Sequence, residues 1–272
     1  MLCLLSKSSM LKPKDATTTA AANDREQVGW FNADRFLAGL RRVNVFSGGF
    51  GSGKTEVAVN FALHLAEAGQ EVRIADLDIV NPYFRSREAR SLLRRHGVEV
   101  LAPGDELAGA DLPIIQPEVK SELDSGQGFL VVDLGGDPVG ARVMASLATG
   151  VAAAELTVFM VLNSRRPFTR DVAGAARLML ALEQSAQVPV TDLVVNSHLI
   201  DETTAAVIAE GIELAEAVSR ATGRRVAFVA IERTMLSRFD AAACQYPVMV
   251  MDRYMLPPWL KPAARAQGPI GG

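Results

Sequence analysis

Residues 48–55 read Gly-Gly-Phe-Gly-Ser-Gly-Lys-Thr and satisfy the pattern GxxxxGK[ST]. Four glycines precede an ammonium at Lys54 and a hydroxyl at Thr55. Glycines let the backbone curl until successive N–H groups face one cavity. A helix beginning near Lys54 adds its unpaired N–H groups and positive dipole end. Such a cup suits a polyphosphate. Gly48, Gly49, Phe50, Gly51, Ser52 and Gly53 would line it, Lys54 would neutralise the β- and γ-phosphates, and the Thr55 hydroxyl would ligate Mg2+.

Phosphoryl chemistry also needs carboxylates near the metal. Phe129 to Val132 are apolar and lead into Asp133, which the pattern places at the carboxyl end of a buried strand, where parallel sheets gather ligands. Asp133 is therefore expected in the Mg2+ shell. Asp133-Leu-Gly-Gly136 also fits DxxG, whose glycine N–H can sense a γ-phosphate. A second apolar run ends in Asp76-Leu77-Asp78. Alternation along a strand puts both aspartates on one side, and close carboxylates repel unless cations or hydrogen bonds sit among them. One of the two could position an attacking water or the metal's water shell; a solvated turn before Pro82 is the alternative. Arg85 and Arg87 read either as clamps for a phosphate or partner carboxylate or as solvated helix residues. Asn196 ends a late strand, and its amide both donates and accepts, which suits an adenine edge as well as a strand cap.

The elements that must hold these groups show in the hydrophobic pattern. Strand-like runs cover Val43–Ser47, Val72–Ala75, Val98–Leu101, Phe129–Val132, Leu156–Leu162, Leu193–Val195 and Val226–Ile231. Most are continuously apolar, as strands covered on both faces are. Helical patterns cover Lys54–Ala68, Arg85–Arg95, Asp171–Gln187 and Glu202–Ala221. Gly69, Gly97 and Gly223 are the expected stops, with Thr169 near one start and Asp201 as an N-cap of another. Alternating strands and helices predict an α/β domain with a single mainly parallel twisted sheet and helices on both faces, a three-layer sandwich. Ala102–Asp124 breaks the rhythm and reads as an excursion with a short hairpin or helix. Val139–Leu162 carries only Arg142 and Glu155 as charges, but Gly150 and Glu155 divide it into a helix and a strand, so a membrane span is not the expected reading. Residues 1–40 read as an N-terminal tail and lead-in, partly disordered, 41–258 as the nucleotide-binding domain and 259–272 as a C-terminal tail.

Composition limits the function classes. With 272 residues, 49% hydrophobic and 22% charged, the chain has material for a sizeable core and the balance of a soluble protein. A net charge of −3 offers no bulk attraction to nucleic acid or to an anionic membrane. Two cysteines, Cys3 and Cys244, give neither a disulfide framework nor a cysteine-ligated cluster within one chain. The histidines, His64, His96 and His198, are scattered and read as ordinary helix or strand residues.

Taken in order and spacing, these pieces resemble the MinD/ParA/nitrogenase-iron-protein branch of P-loop NTPases, the SIMIBI or CobQ/CobB/MinD/ParA-like proteins, over about Arg41 to Pro258. "DLDIVNP" resembles the switch I segment, which implies that Asp78 assists water attack with Asp76 beside it near the metal. "VVDLGGDPVGA" is similar to the Walker B and switch II segment and assigns Asp133 to the Mg2+ shell. "VVNSHLID" is similar to the segment whose asparagine contacts adenine, here Asn196, and "FVAIERTMLSRFD" to the loop over the base, near Ile231 and Glu232. The resemblance implies ATP and Mg2+ as cofactors, and Asn196 lacks the Asp spacing of the guanine-reading NKxD motif. Two departures stand out: Gly49 occupies the position of the branch's signature lysine, and the prolines of the C-terminal tail break any MinD-like amphipathic membrane helix. The expectation is a cytoplasmic ATPase that switches a partner protein, with a nucleotide-dependent homodimer as a further possibility and no membrane or nucleic-acid partner. No arginine finger is identifiable, so slow turnover is expected. A small-molecule kinase or ligase, with residues 102–124 lining an acceptor pocket, is the alternative.

Overall fold

The computed structural model describes residues 30–77, 87–101, 117–136, 144–145 and 151–255. Nine strands form one sheet: β1 Trp30–Phe31, β2 Val43–Ser47, β3 Val72–Leu77, β4 Glu99–Leu101, β5 Phe129–Leu134, β6 Leu156–Leu162, β7 Asp192–Val195, β8 Arg225–Glu232 and β9 Val248–Met251. Their order is β1-β9-β8-β7-β6-β2-β5-β3-β4, parallel throughout except for β1 against β9. All five residues of β2 and all seven of β6 are buried, which explains why these runs do not alternate. The expected three-layer sandwich is what the chain forms.

The described α-helices of five or more residues are α1 Asp34–Ala38, α2 Lys54–Glu67, α3 Arg87–Arg95, α4 Pro117–Ser125, α5 Val172–Ala186 and α6 Ala205–Thr222. Two buried clusters lie on opposite faces of the sheet. On one, α2 brings Val57, Phe61 and Leu65 against Phe46, Ile74, Val131 and Phe159. On the other, α5 and α6 bring Met179, Leu182 and Ile208 against Val45, Val132, Met160 and Val195. The α2 face is aromatic, with Phe46 and Phe159 stacked at 4.9 Å between ring centroids. Trp30 and Phe36 join this cluster through Phe228, at 5.3 and 5.4 Å.

Three boundaries differ from the sequence reading. The strand β1 is two residues long, too short for a periodicity signal, and its aromatic contacts hold it. The strand β9 follows a stretch of turns and is also absent from the predicted set. The N-cap of α6 is Thr204, whose hydroxyl accepts from the Val207 N–H, not Asp201, which lies in the preceding 3-10 turn. The stops at Gly69, Gly97 and Gly223 are found, each with positive φ. All but the last residue of helix α4 falls inside the predicted excursion, whose residues 102–116 lie outside the described ones, as do residues 1–29 and 256–272 and most of the helical half of Val139–Leu162.

Candidate functional site

The loop joining β2 to α2 crosses the carboxyl end of the sheet, with β5 on one side of β2 and β6 on the other. The chain reverses its direction across the sheet there, and parallel α/β sheets bind ligands in such crevices. Ser52 N–H donates to Gly49 O at 3.0 Å to close the loop, and Val57 N–H donates to Gly53 O at 3.0 Å to open the helix. Gly53 has φ +82°, left-handed backbone that a β-carbon would strain, and a β-carbon there would also collide with Asn196 Nδ2. The hydroxyls of Ser47 and Ser52 are buried without a hydrogen-bond partner among the described residues.

On the β5 side, Thr55 Oγ1 donates to Asp133 Oδ2 at 2.6 Å, and both residues are buried. The strand register aligns Asp76 of β3 with Asp133 of β5. Both follow residues of the α2 face, Ile74 and Val131, so their side chains lie on that face. The structure thus brings Thr55, Asp76 and Asp133 together beside the loop. Gly136, the glycine of DxxG, sits so close to the loop that a β-carbon would collide with the Gly48 carbonyl oxygen. Asp78, Arg85 and the Arg87 side chain lie outside the described residues.

On the β6–β8 side, a cavity of about 430 Å³ opens beside the loop. Gly51, Gly53, Lys54 and Thr55 form its loop wall, and Asn196 and the exposed Phe50 also line it; Ile208, Ile231 and Met251 line its interior. Asn196 is buried and its Nδ2 donates to Ser52 O at 2.8 Å, so part of its amide braces the loop. Glu232 lines the cavity as well.

Several residues of this side carry no functional role in the sequence reading, which takes His64 and His198 as ordinary helix or strand residues. His198 lines the cavity, and burial first, then Arg166 and Arg253, push its imidazole down to about 4, leaving it neutral at neutral pH. Glu56 accepts from Tyr254 N–H at 2.8 Å and Met255 N–H at 3.0 Å. Burial raises its carboxyl to about 7, against those amides and Arg253, which lower it, while Glu232 raises it further. One turn on, Asn60 exchanges hydrogen bonds with the Asp252 main chain at 3.0 and 2.9 Å, and His64 Nε2 lies 2.7 Å from Val250 O. Positions 56, 60 and 64 share one face of α2 and hold segment 250–255 along the cavity. Arg166 Nε donates to Gly51 O at 2.8 Å. A polar residue every fourth position in an otherwise buried helix is the sequence signal for the first three; Arg166 leaves none.

No protein-family model matches the chain, and comparison with curated protein sequences finds no match. Among solved structures, it is similar to chloroplast FtsY from Physcomitrella patens, with 17% identity and a TM-score of 0.48, over 70% of this chain and 58% of that one. FtsY from Mycoplasma mycoides gives 16% identity and a TM-score of 0.48, over 78% and 66%. A nucleotide-binding protein in complex with ADP from Archaeoglobus fulgidus gives 15% and 0.43, over 76% and 88%. The chain thus spans less than two thirds of the FtsY structures it matches. At such identities and scores these likenesses assign it neither a family nor a ligand. No described helix is long and apolar enough to cross a membrane.

Proposed function

We propose that this chain binds ATP with Mg2+, its polyphosphate in the glycine-rich loop and its base in the adjoining cavity, hydrolyses it slowly, and uses that cycle to switch a partner protein. The observation that carries the reading is the Thr55–Asp133 contact of 2.6 Å beside a loop whose Lys54 also lines the 430 Å³ cavity. A hydroxyl and a carboxylate are hard oxygen donors of the kind Mg2+ takes. Thr55 and Asp133 would hold the ion, with Asp76 reaching it through water. Bound there, Mg2+ would neutralise charge on the phosphate oxygens.

The chain's own groups do the remainder. Amides of residues 48–55 and the N-terminus of α2 receive the phosphates, and Lys54 adds a point charge on their β and γ groups. Asp78, by the resemblance, would orient the attacking water. Close packing of Gly136 on Gly48 gives loss of a γ-phosphate a route to the loop after β5. The remaining lone pairs of Asn196 Oδ1 suit an adenine amine, and no Asp stands at NKxD spacing after it, which favours ATP over GTP. Membership of the MinD/ParA-like branch, a cytoplasmic setting and a nucleotide-dependent homodimer belong to the same proposal.

Phosphate release from ATP by the purified protein tests it. Slow release that stops on chelation of Mg2+, and an Asp78→Ala variant that keeps ATP binding but loses turnover, are the expected results. Undiminished turnover in that variant would remove Asp78 from its role. Phosphate transfer to an added metabolite, with consumption of that metabolite, would replace the switch by the kinase or ligase.

A further inference from the structure

Arginines near the cavity spend their charge on carboxylates. Arg253 pairs with Asp201 at 2.5 Å, Arg233 with Asp252 at 2.7 Å, and Arg165 with Glu210. Arg166 is different. Among the described residues its guanidinium meets no carboxylate, and its one side-chain hydrogen bond runs from Nε to the Gly51 carbonyl. That bond leaves Nη1 and Nη2, with four N–H donors, unspent on a side chain that lines the cavity beside Lys54. The guanidinium also lies against the loop backbone: a β-carbon on Gly51 would stand 3.0 Å from Nε and 3.3 Å from Cζ.

The corner that presents Arg166 is stapled. Asn163 is fully buried, and its Oδ1 accepts from Arg165 N–H at 3.0 Å and from His198 N–H at 3.4 Å. Thr169 Oγ1 donates to Asn163 O at 2.7 Å, and Ser197 Oγ accepts from Ser164 N–H at 3.0 Å. These bonds tie the end of β6 to the end of β7, so Arg166 leaves from a fixed backbone and little ordering remains for a ligand to impose. Lys54 and Arg166 both line this cavity, so an anion bound there meets two cationic groups.

We propose that Arg166 is a polyphosphate-binding residue supplied by the chain itself: Nε pins the loop at Gly51 while the two terminal nitrogens donate to phosphate oxygens of the nucleotide. The proposal rests on the nucleotide-binding reading above. It also supplies in cis the cation that the sequence left unidentified, and guanidinium–phosphate pairing is the geometry arginine serves best.

Calorimetric titration of ATP and of ADP into wild type, Arg166→Ala, Arg166→Gln and Arg166→Lys tests it, with thermal unfolding run on each. Loss of the contact weakens nucleotide binding in Arg166→Ala by about ten- to a hundredfold. Lysine, which keeps the charge, recovers part of that loss, and glutamine, which keeps only a neutral donor for Gly51, does not. A residue that merely braces the loop gives the opposite pattern, with glutamine at least as good as lysine, and that outcome overturns the proposal. So does unchanged affinity in Arg166→Ala. Wild-type protein that binds neither nucleotide overturns the nucleotide reading itself, whereas tight wild-type binding with indifferent variants removes Arg166 alone.

Discussion

The two flanks of the glycine-rich loop are built from opposite chemistry. Toward β5 and β3 it meets a few polar groups at fixed distances: the Thr55 hydroxyl on Asp133, Asp76 in register, and Gly136 against Gly48. Toward β6, β7 and β8 it meets a mostly apolar cavity, with Asn196, His198, Glu232 and Arg253 set among aliphatic and methionine side chains. The metal and transferring phosphoryl group proposed for the first flank tolerate few substitutes, so residue type at one position decides the outcome. A base is held by shape and burial, so many side chains share the work and each counts for less.

That contrast can be broken from either side. The largest effect is expected on the β5 flank: Asp133→Asn should cut ATP turnover at least about a hundredfold, the scale for losing one preorganised charge-stabilising group. A phosphate-release assay with near-normal turnover would place the metal elsewhere.

The next lies on the opposite flank and is a matter of pH. Glu56 titrates near 7 in the folded protein, raised by burial from an ordinary value of 4.5. Its proton therefore stabilises the fold fully below about pH 4.5, and that stability disappears as pH rises through 7. Chemical denaturation at pH 5 and pH 8 should show wild type losing on the order of 3 kcal/mol relative to Glu56→Gln. Comparing the two chains cancels the opposing contribution of His198, whose imidazole, held down at about 4 from 6.5, adds stability above pH 6.5 that is lost as pH falls through 4. A constant difference between the chains across that range would mean that Glu56 stays ionised.

Gly136→Ala sharpens the β5 side again. Its β-carbon meets the Gly48 carbonyl, so the variant should lose about 1–3 kcal/mol of stability by thermal unfolding. An unchanged melting point would mean that the loop after β5 gives way freely. The smallest effect belongs to Asn196→Ala, which removes the brace on Ser52 and should weaken ATP binding only about threefold by calorimetry. A loss as large as that at Lys54 would erase the distinction between a charged flank and a shaped one.

The same contrast explains what the sequence disclosed. The motif at 48–55 and the acid at 133 are legible because local chemistry compels them, and the central strands because both faces are buried. Asp133 needed only its four apolar predecessors to be found. The cavity was scarcely legible: Asn196 was read from its strand end, whereas His198 becomes significant only once β7 lies between β6 and β8. Glu56 passes as a solvated helix residue until segment 250–255 docks on it. The strand β1 depends on aromatic contacts with residues nearly two hundred positions away, which no local window reads.

The central claim is that the loop and the cavity are one nucleotide site. Titration of Mg2+-ATP into wild type and Lys54→Ala tests it most directly. One site per chain in wild type, weakened at least about tenfold when the ammonium is removed, is the predicted result. Equal affinity in the two chains, or no binding by wild type, would contradict it.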